Sequence, residues 1–152
     1  MEQGADLLAF LRRVTGEPRT AEDLLHETFV RAIRAQSRLP VDGARPWLFR
    51  IATNLAVSHL RRRRLLSFLP FAGEHASEHD AFDVEGAQVR AAMRSIPTDQ
   101  AVALVLTLHQ GFSRREAAAL LGVGEETMKS RIARGRLNFT AAYKRLERGL
   151  RA

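Results

Sequence analysis

Apolar residues recur along this chain at intervals of three and four positions, which is the spacing of one face of an α-helix. In the first such segment they are Leu7, Leu8, Phe10, Leu11 and Val14. No stretch alternates with the two-residue period of a β-strand, so the pattern predicts an all-α fold. The predicted helices cover residues 7–14, 20–36, 45–64, 84–95, 99–109, 113–121 and 125–148.

Helix-ending and helix-starting residues separate these segments. Thr15-Gly16-Glu17-Pro18 ends the first helix, because glycine and the residue before proline both disfavour its continuation. Thr20 is the predicted N-cap of the second helix. Pro46 falls in the first turn of the third, where its missing N–H costs nothing. The predicted buried stripe of the second helix consists of Leu24, Leu25, Thr28, Phe29, Ala32 and Ile33.

Residues 65–83 lack a helical period and contain Pro70 and Gly73 among apolar, acidic and histidine positions. Such a segment is typical of a linker between domains. The sequence therefore predicts two small helical domains, 1–64 and 84–152, joined by a flexible linker over 65–83.

The bulk composition indicates a folded protein without disulfides. Hydrophobic residues make up 45% and charged residues 27% of the 152 positions, and there is no cysteine for a disulfide or a thiolate metal site. The apolar runs are too short to cross a bilayer, and the N-terminus lacks the basic-then-apolar pattern of a signal peptide. These features predict a cytoplasmic protein with no membrane segment of its own.

The net charge of +7 is unevenly distributed along the chain. Residues 1–64 carry 12 basic and 7 acidic groups, residues 65–112 carry 2 and 6, and residues 113–152 carry 10 and 4. Basic helices bind nucleic-acid phosphates, whereas an acidic segment is repelled by them. The pattern favours two separate contacts with nucleic acid, although two solvated basic faces would give the same charge distribution.

The segment 113–131 carries the most specific local motif. Ser113 followed by Glu116 matches a capping box, which predicts a short helix beginning there. Ala118 is small enough for a second helix to cross closely over it. Gly122 can adopt the left-handed conformation that ends the helix, and Val123 can pack beneath the turn. The motif predicts a helix-turn-helix.

The second helix of this motif combines an apolar face with a polar, basic one. Met128 and Ile132 are predicted to face inward. The other face presents hydroxyl and cationic groups that suit base edges and phosphates in a DNA major groove. An ordinary pair of helices with a solvated basic face remains the alternative. The polar residues are Thr127, Lys129, Ser130, Arg131, Arg134 and Arg136.

The C-terminal half resembles region 4 of extracytoplasmic-function sigma factors, a group of the sigma-70 family. The resemblance rests on Ile96-Pro97, Gly111-Phe112-Ser113, Gly122-Val123, the segment 127–131 and Arg134-Gly135-Arg136. This half alone would also suit other helix-turn-helix regulators, such as the C-terminal domains of response regulators.

The N-terminal half decides between these families. Residues 21–32, AEDLLHETFVRA, resemble region 2.2. Residues 46–56, PWLFRIATNLA, and 59–64, HLRRRR, resemble regions 2.3 and 2.4. The chain begins within the part that resembles region 2.1. Together the two resemblances imply a transcription initiation factor that directs RNA polymerase core to promoter DNA.

The resemblance implies three groups of site residues, and neither a cofactor nor a metal. Region 2.2 docks on the β′ clamp helices of the polymerase, regions 2.3 and 2.4 melt the minus-10 element, and region 4 reads the minus-35 duplex and meets the β flap. The implied polymerase contacts are Asp23, Glu27, Thr28 and Arg31. The implied minus-10 contacts are Trp47, Arg50, Asn54, His59, Arg61, Arg62, Arg63 and Arg64. The implied minus-35 contacts are Arg114, Glu125, Glu126, Thr127, Lys129, Ser130, Arg131, Arg134 and Arg136.

Several of these residues have a second interpretation. Trp47 and Phe49 lie on the apolar stripe of the third helix, so core packing competes with base stacking for them. The four arginines 61–64 cannot all face DNA, because successive helical residues point 100° apart. Two of them are expected on DNA, and the others in solvent or on polymerase. Glu125 and Glu126 suggest unusual minus-35 specificity, since a carboxylate can accept from a cytosine amino group but repels phosphate.

Other functional classes fit the sequence less well. A sigma-like decoy would bind an anti-sigma factor without engaging DNA, but such a protein should lack the basic melting helix. An enzyme would have to use His26, His59, Glu27 or Glu125, and no spacing among them matches a catalytic or metal-binding motif. We therefore predict a protein without catalytic residues, for which an anti-sigma factor is a further partner.

Overall fold

The computed structural model describes residues 2–38, 43–66 and 84–151. Every regular element in these ranges is helical, in agreement with the predicted all-α class. The α-helices are α1 (Glu2–Thr15), α2 (Pro18–Arg34), α3 (Ala44–Leu66), α4 (Val84–Ser95), α5 (Thr98–Leu104), α6 (Arg114–Leu121) and α7 (Glu125–Arg151). A 3₁₀ turn, Gln36–Arg38, follows α2, and a π-helical turn, Val105–His109, continues α5.

The turn between α1 and α2 shows how local chemistry sets the helix ends. Gly16 has a φ of +73°, a conformation that is costly for other residues. Helix α2 then begins at Pro18 with Glu17 as its N-cap. The predicted cap at Thr20 is wrong: its hydroxyl donates to Oε2 of Glu17 at 2.8 Å, one turn inside the helix. The proline at the first helical position starts the helix earlier than the threonine would.

Helices α1, α2 and α3 pack on one another around aromatic and aliphatic side chains. Leu7, Phe10 and Phe49 are fully buried there, and the Phe10 and Phe49 rings meet edge to face with centroids 5.4 Å apart. Ile33 was expected in the buried stripe of α2, but it is 71% exposed. Ala32 in the same last turn is buried, so Ile33 lies on the side of this turn that the neighbouring helices do not cover.

The second half is organised by α7, against which α4, α5 and α6 all pack. Met128 is fully buried, and Ile132 packs against the core, as the apolar stripe of this helix predicts. Gly135 is also buried on this face, where a Cβ atom would lie 3.1 Å from Cδ1 of Leu104. The missing side chain lets α5 and α7 approach closely.

The two halves also pack against each other. Helix α1 contacts α4 and the π-helical turn, and α3 contacts α5 and α6. Buried residues of both halves form one hydrophobic cluster. We call this packing the closed arrangement. Most of the predicted linker, residues 67–83, lies outside the described residues, while Leu65 and Leu66 complete the last turn of α3.

Candidate nucleic-acid interface

Helices α6 and α7 form the helix-turn-helix that the sequence predicts. The hydroxyl oxygen of Ser113 accepts from the Glu116 N–H, and Oε1 of Glu116 accepts from the Ser113 N–H, each at 3.0 Å. This capping box satisfies two N–H groups at the start of α6. Gly122, with φ 69° and ψ 33°, ends the helix, and the Val123 N–H donates to the Ala118 carbonyl at 3.0 Å.

The capping box also changes the acidity of its carboxylate. Hydrogen bonds from the Ser113 backbone N–H and from the Ser113 side chain lower the pKa of Glu116. Glu116 therefore stays charged at the start of α6, where a negative charge interacts favourably with the helix dipole.

The outer face of α7 carries most of the candidate minus-35 residues into solvent, and Arg114 of α6 is exposed beside them. Arg131 differs from the other residues of this group. Its side chain is only 26% exposed, and its Nε lies 3.5 Å from Oδ2 of Asp99 on α5. The exposed members on α7 are Glu125, Glu126, Thr127, Lys129, Ser130, Arg134 and Arg136.

Helix α3 distributes the candidate minus-10 residues over different environments. Asn54, Arg61 and Arg62 are exposed. Trp47 is partly buried and packs against the core, which favours the packing interpretation for it. Phe49 is fully buried, so base stacking is excluded for this ring in the closed arrangement.

Other basic residues of α3 contact the protein itself. Arg63 forms an ion pair with Glu17, with 2.6 Å between Nη2 and Oε1. Arg64 donates from Nη2 to the Ile96 carbonyl at 3.4 Å, and Arg50 donates to the Ala119 carbonyl at 3.0 Å. The last two bonds reach the other half of the chain. They engage side chains that were expected to hold DNA backbone.

His59 is half-buried on the same helix, and its Nε2 atom has no hydrogen-bond partner among the described residues. Burial lowers the pKa of His59, the Arg63 guanidinium lowers it further, and the Glu17 carboxylate partly opposes them. A neutral imidazole is therefore favoured in the closed arrangement. This is a weaker group for binding phosphate than the exposed, charged histidine that a backbone contact would require.

Helix α2 presents part of the expected polymerase-binding face. Asp23 is exposed, and Glu27 and Arg31 form an ion pair along the helix with 3.0 Å between Oε1 and Nε. The prediction that Thr28 is a polar surface contact is wrong. Its side chain is fully buried, and its hydroxyl donates to the Leu24 carbonyl at 2.7 Å. Thr28 is buried because it lies on the apolar stripe of α2, and the bond to Leu24 satisfies its hydroxyl group.

Arg45 joins the two halves, a role that the sequence analysis did not assign to it. Its guanidinium bonds Oδ2 of Asp6 at 3.0 Å and the Gln110 carbonyl at 2.8 Å. It also lies over the rings of Phe49 and Phe112, 4.8 Å from each centroid. The two rings meet edge to face, 5.1 Å apart. Sequence offers no signal for this cluster, because its members lie up to 104 positions apart along the chain, as in the bond from the Gln110 side chain to the Asp6 carbonyl.

Two other features, a metal-binding group and a membrane-spanning helix, are absent from the described residues. No group of three or more His, Cys, Asp or Glu side chains in the described ranges lies close enough to hold a metal ion. In the same ranges, no helix is long and apolar enough to cross a membrane.

Two family models match the chain, one in each half. Residues 2–65 match sigma-70 region 2, and residues 86–139 match sigma-70 region 4. The chain is 35% identical to the ECF RNA polymerase sigma factor SigE of Mycolicibacterium smegmatis over 133 residues, which are 82% of this chain. It spans about half of that relative, 52% of its length.

Other relatives are matched over most of their length. The ECF RNA polymerase sigma factor EcfG of Rhodopseudomonas palustris is 35% identical over 141 residues, covering 89% of this chain and 77% of EcfG. The fold is similar to the sigma factor RpoE in complex with the anti-sigma factor NepR from Bartonella quintana, with a TM-score of 0.74, 28% identity and 93% and 92% of the two chains covered. CnrH in complex with the cytosolic domain of CnrY gives a TM-score of 0.70 and 30% identity, covering 92% and 81%.

Both halves of the chain thus match sigma-70 regions in the expected order, and a relative covered over most of its length is an ECF sigma factor. The chain belongs to the extracytoplasmic-function group of the sigma-70 family.

Proposed function

We propose that this chain directs RNA polymerase core to specific promoters. In this proposal residues 1–64 form region 2, residues 65–83 the linker and residues 84–152 region 4. The observation that carries it is the capped helix-turn-helix whose recognition helix leaves Thr127, Lys129 and Ser130 exposed. Such a helix can enter a major groove and place hydroxyl and cationic groups against base edges.

Minus-35 recognition is assigned to this exposed face of α7. Lys129 and Ser130 lie on its first two turns, where a recognition helix contacts base edges. Arg114 of α6 and Arg134 and Arg136 of α7 are exposed, and we assign them to flanking phosphates. Glu126 lies among these cations and would favour a base that offers a donor, such as the cytosine amino group.

Minus-10 melting is assigned to the exposed side of α3. Asn54 can hydrogen-bond the edge of an unstacked base, and Arg61 and Arg62 can bind the single-stranded backbone. Arg50 would offer this surface all of its N–H donors once its bond to the Ala119 carbonyl is released. Trp47 packs against the core beneath this surface and is assigned a structural role. We therefore propose that DNA engagement is accompanied by separation of the two halves.

Docking on polymerase is assigned to two surfaces. Asp23, Glu27 and Arg31 on α2 provide charged groups for the β′ clamp helices, and the region 4 half would meet the β flap. The protein performs no covalent chemistry itself in this proposal, and it acts in the cytoplasm, where core polymerase and the chromosome are found. The similar folds of RpoE and CnrH are in complexes with the anti-sigma factor NepR and with the cytosolic domain of CnrY, which supports an anti-sigma partner here.

Run-off transcription with purified core polymerase on a promoter library tests the proposal. We expect promoter-dependent transcripts that share a minus-35 and a minus-10 sequence. The variant Lys129→Ala should lose most of this transcription, whereas Lys144→Ala, an exposed lysine further along the same helix, should retain it. Absence of any promoter-dependent transcript, with anti-sigma binding intact, would instead identify a decoy.

A further inference from the structure

The first turn of α5 contacts α7, the recognition helix, beside the proposed DNA-binding surface. Oδ2 of Asp99 lies 3.5 Å from Nε of Arg131, and Oε1 of Gln100 accepts from Nδ2 of Asn138 at 2.8 Å. We propose that Asp99 is a positioning residue that directs Arg131 towards one base of the minus-35 element and thereby sets the base preference at that position. This inference rests on the proposed function and deepens it.

The path of α7 over α5 explains why Arg131 needs such support. The helices approach most closely at Gly135, where a Cβ would lie 3.1 Å from Leu104 and 3.3 Å from Cβ of Gln100. Arg131 precedes Gly135 by four positions, and Asn138 follows it by three, so all three lie on the α5-facing side of α7. Arg131 must therefore reach DNA from the side of α7 that faces α5, whereas Ser130 lies on the exposed side.

Asp99 is itself held in place. Its Oδ1 accepts from the Gln100 N–H at 3.0 Å, in the first turn of α5, while Oδ2 faces Arg131. A carboxylate at a helix N-terminus is also favoured by the helix dipole. One oxygen thus anchors the aspartate to its own helix, and the other restrains the arginine.

The contact with Asp99 involves Nε of Arg131 and not its two Nη groups. Asp99 engages the guanidinium through Nε, and the two Nη groups are the pair that can donate together to O6 and N7 of guanine. Restraining a long side chain before binding reduces the entropy lost when it orders on DNA. Guanine is therefore the base that this arrangement favours.

The test is binding of the holoenzyme to duplexes in which each minus-35 position is varied in turn. We expect wild-type holoenzyme to prefer guanine at one position and Asp99→Asn to reduce that preference roughly three- to tenfold. Arg131→Ala should remove the same preference at the same position. The double variant should lose no more than Arg131→Ala, because Asp99 acts only through Arg131.

Gln100→Ala is the matched control, since it removes the other polar contact between the same two helices without touching Arg131. It should leave the base preference unchanged, and thermal unfolding of all variants would report any loss of folding. The inference is overturned if Asp99→Asn leaves every preference intact or weakens all sequences equally. It is also overturned if Arg131→Ala only reduces the salt dependence, as loss of a phosphate contact does. A wild-type holoenzyme with no minus-35 preference would refute the proposed function instead.

Discussion

The Arg50 guanidinium donates from Nη2 to the backbone carbonyl of Ala119, with 3.0 Å between nitrogen and oxygen. The first residue belongs to α3 and the second to α6, so the bond joins the helix proposed to melt DNA to the helix-turn-helix. This bond uses one of the five N–H donors of the guanidinium and holds the side chain against α6. The closed arrangement thus leaves Arg50 fewer donors for phosphate than a released side chain would have.

Replacing Arg45 should loosen the closed arrangement. Arg45→Ala removes the ion pair with Asp6, the bond to the Gln110 carbonyl and the contacts with two aromatic rings. Of these, the contacts with Gln110 and Phe112 cross between the halves. We therefore expect a loss of about 1–3 kcal/mol of interdomain stabilisation, because a charged hydrogen bond and a cation–π contact each contribute on the order of 1 kcal/mol or more. Energy transfer between dyes on Ser58→Cys and Thr140→Cys would measure the separation, since the native chain has no cysteine.

Arg61→Ala is the control for this measurement, because Arg61 is an exposed arginine of the same helix. It should leave the dye separation unchanged. An unchanged separation in Arg45→Ala as well would show that the Arg45 cluster does not hold the halves together.

Ser113→Ala should destabilise the helix-turn-helix by removing the capping box. The Glu116 N–H loses its acceptor, and an N-cap serine is worth about 1 kcal/mol. We expect a lower free energy of unfolding by that amount in urea titrations, together with weaker minus-35 binding. Ser37→Ala, an exposed serine in the 3₁₀ turn, should change neither quantity. Equal stability of the two variants would contradict a role for the cap.

His59 should make stability depend on pH in the mildly acidic range. Its folded pKa lies below the usual 6.5, mainly because of burial, so the unfolded chain binds the proton more readily. The stability that the neutral form contributes is complete above pH 6.5 and is lost as the pH falls through the folded pKa. His59→Gln should flatten this part of the profile. Parallel profiles for wild type and His59→Gln would count against the burial effect.

Gly135→Ala should separate α5 from α7, since the new methyl group would sit 3.1 Å from the buried Leu104 side chain. Overpacking costs about 1–3 kcal/mol, which outweighs the gain of up to about 1 kcal/mol in helix propensity. Gly149→Ala, in the same helix with nothing within 4 Å, should be neutral or stabilising. Urea unfolding of the pair compares the two effects, and a stabilised Gly135→Ala would contradict the close approach.

Sequence reasoning succeeded where the signal is local. The capping box at Ser113, the left-handed Gly122 and the inward-facing Met128 each follow from residues within a few positions of one another. The same local pattern placed α4 correctly at Val84–Ser95. These features depend on backbone geometry and helical periodicity, which a single sequence displays directly.

It failed where a distant partner decides the outcome. For Thr28 the family resemblance implied a surface contact, whereas the helical pattern had placed it correctly in the buried stripe of α2. Arg50 and Arg131 looked free for DNA, yet Ala119 and Asp99 engage them from other helices. The residues near these arginines in the sequence do not indicate such partners. For Arg50 the partner lies 69 positions away. The environment of a candidate site residue was therefore harder to predict than its helix.

Permanganate reactivity of minus-10 thymines tests most directly whether this chain opens promoters. Wild-type chain with core polymerase should make these thymines reactive on a promoter selected from the library. Arg61→Ala/Arg62→Ala should reduce the reactivity while leaving minus-35 duplex binding intact, because these exposed arginines lie on α3 and not on α7. Unreactive thymines with wild-type holoenzyme bound to the promoter would contradict the assignment of melting to this protein.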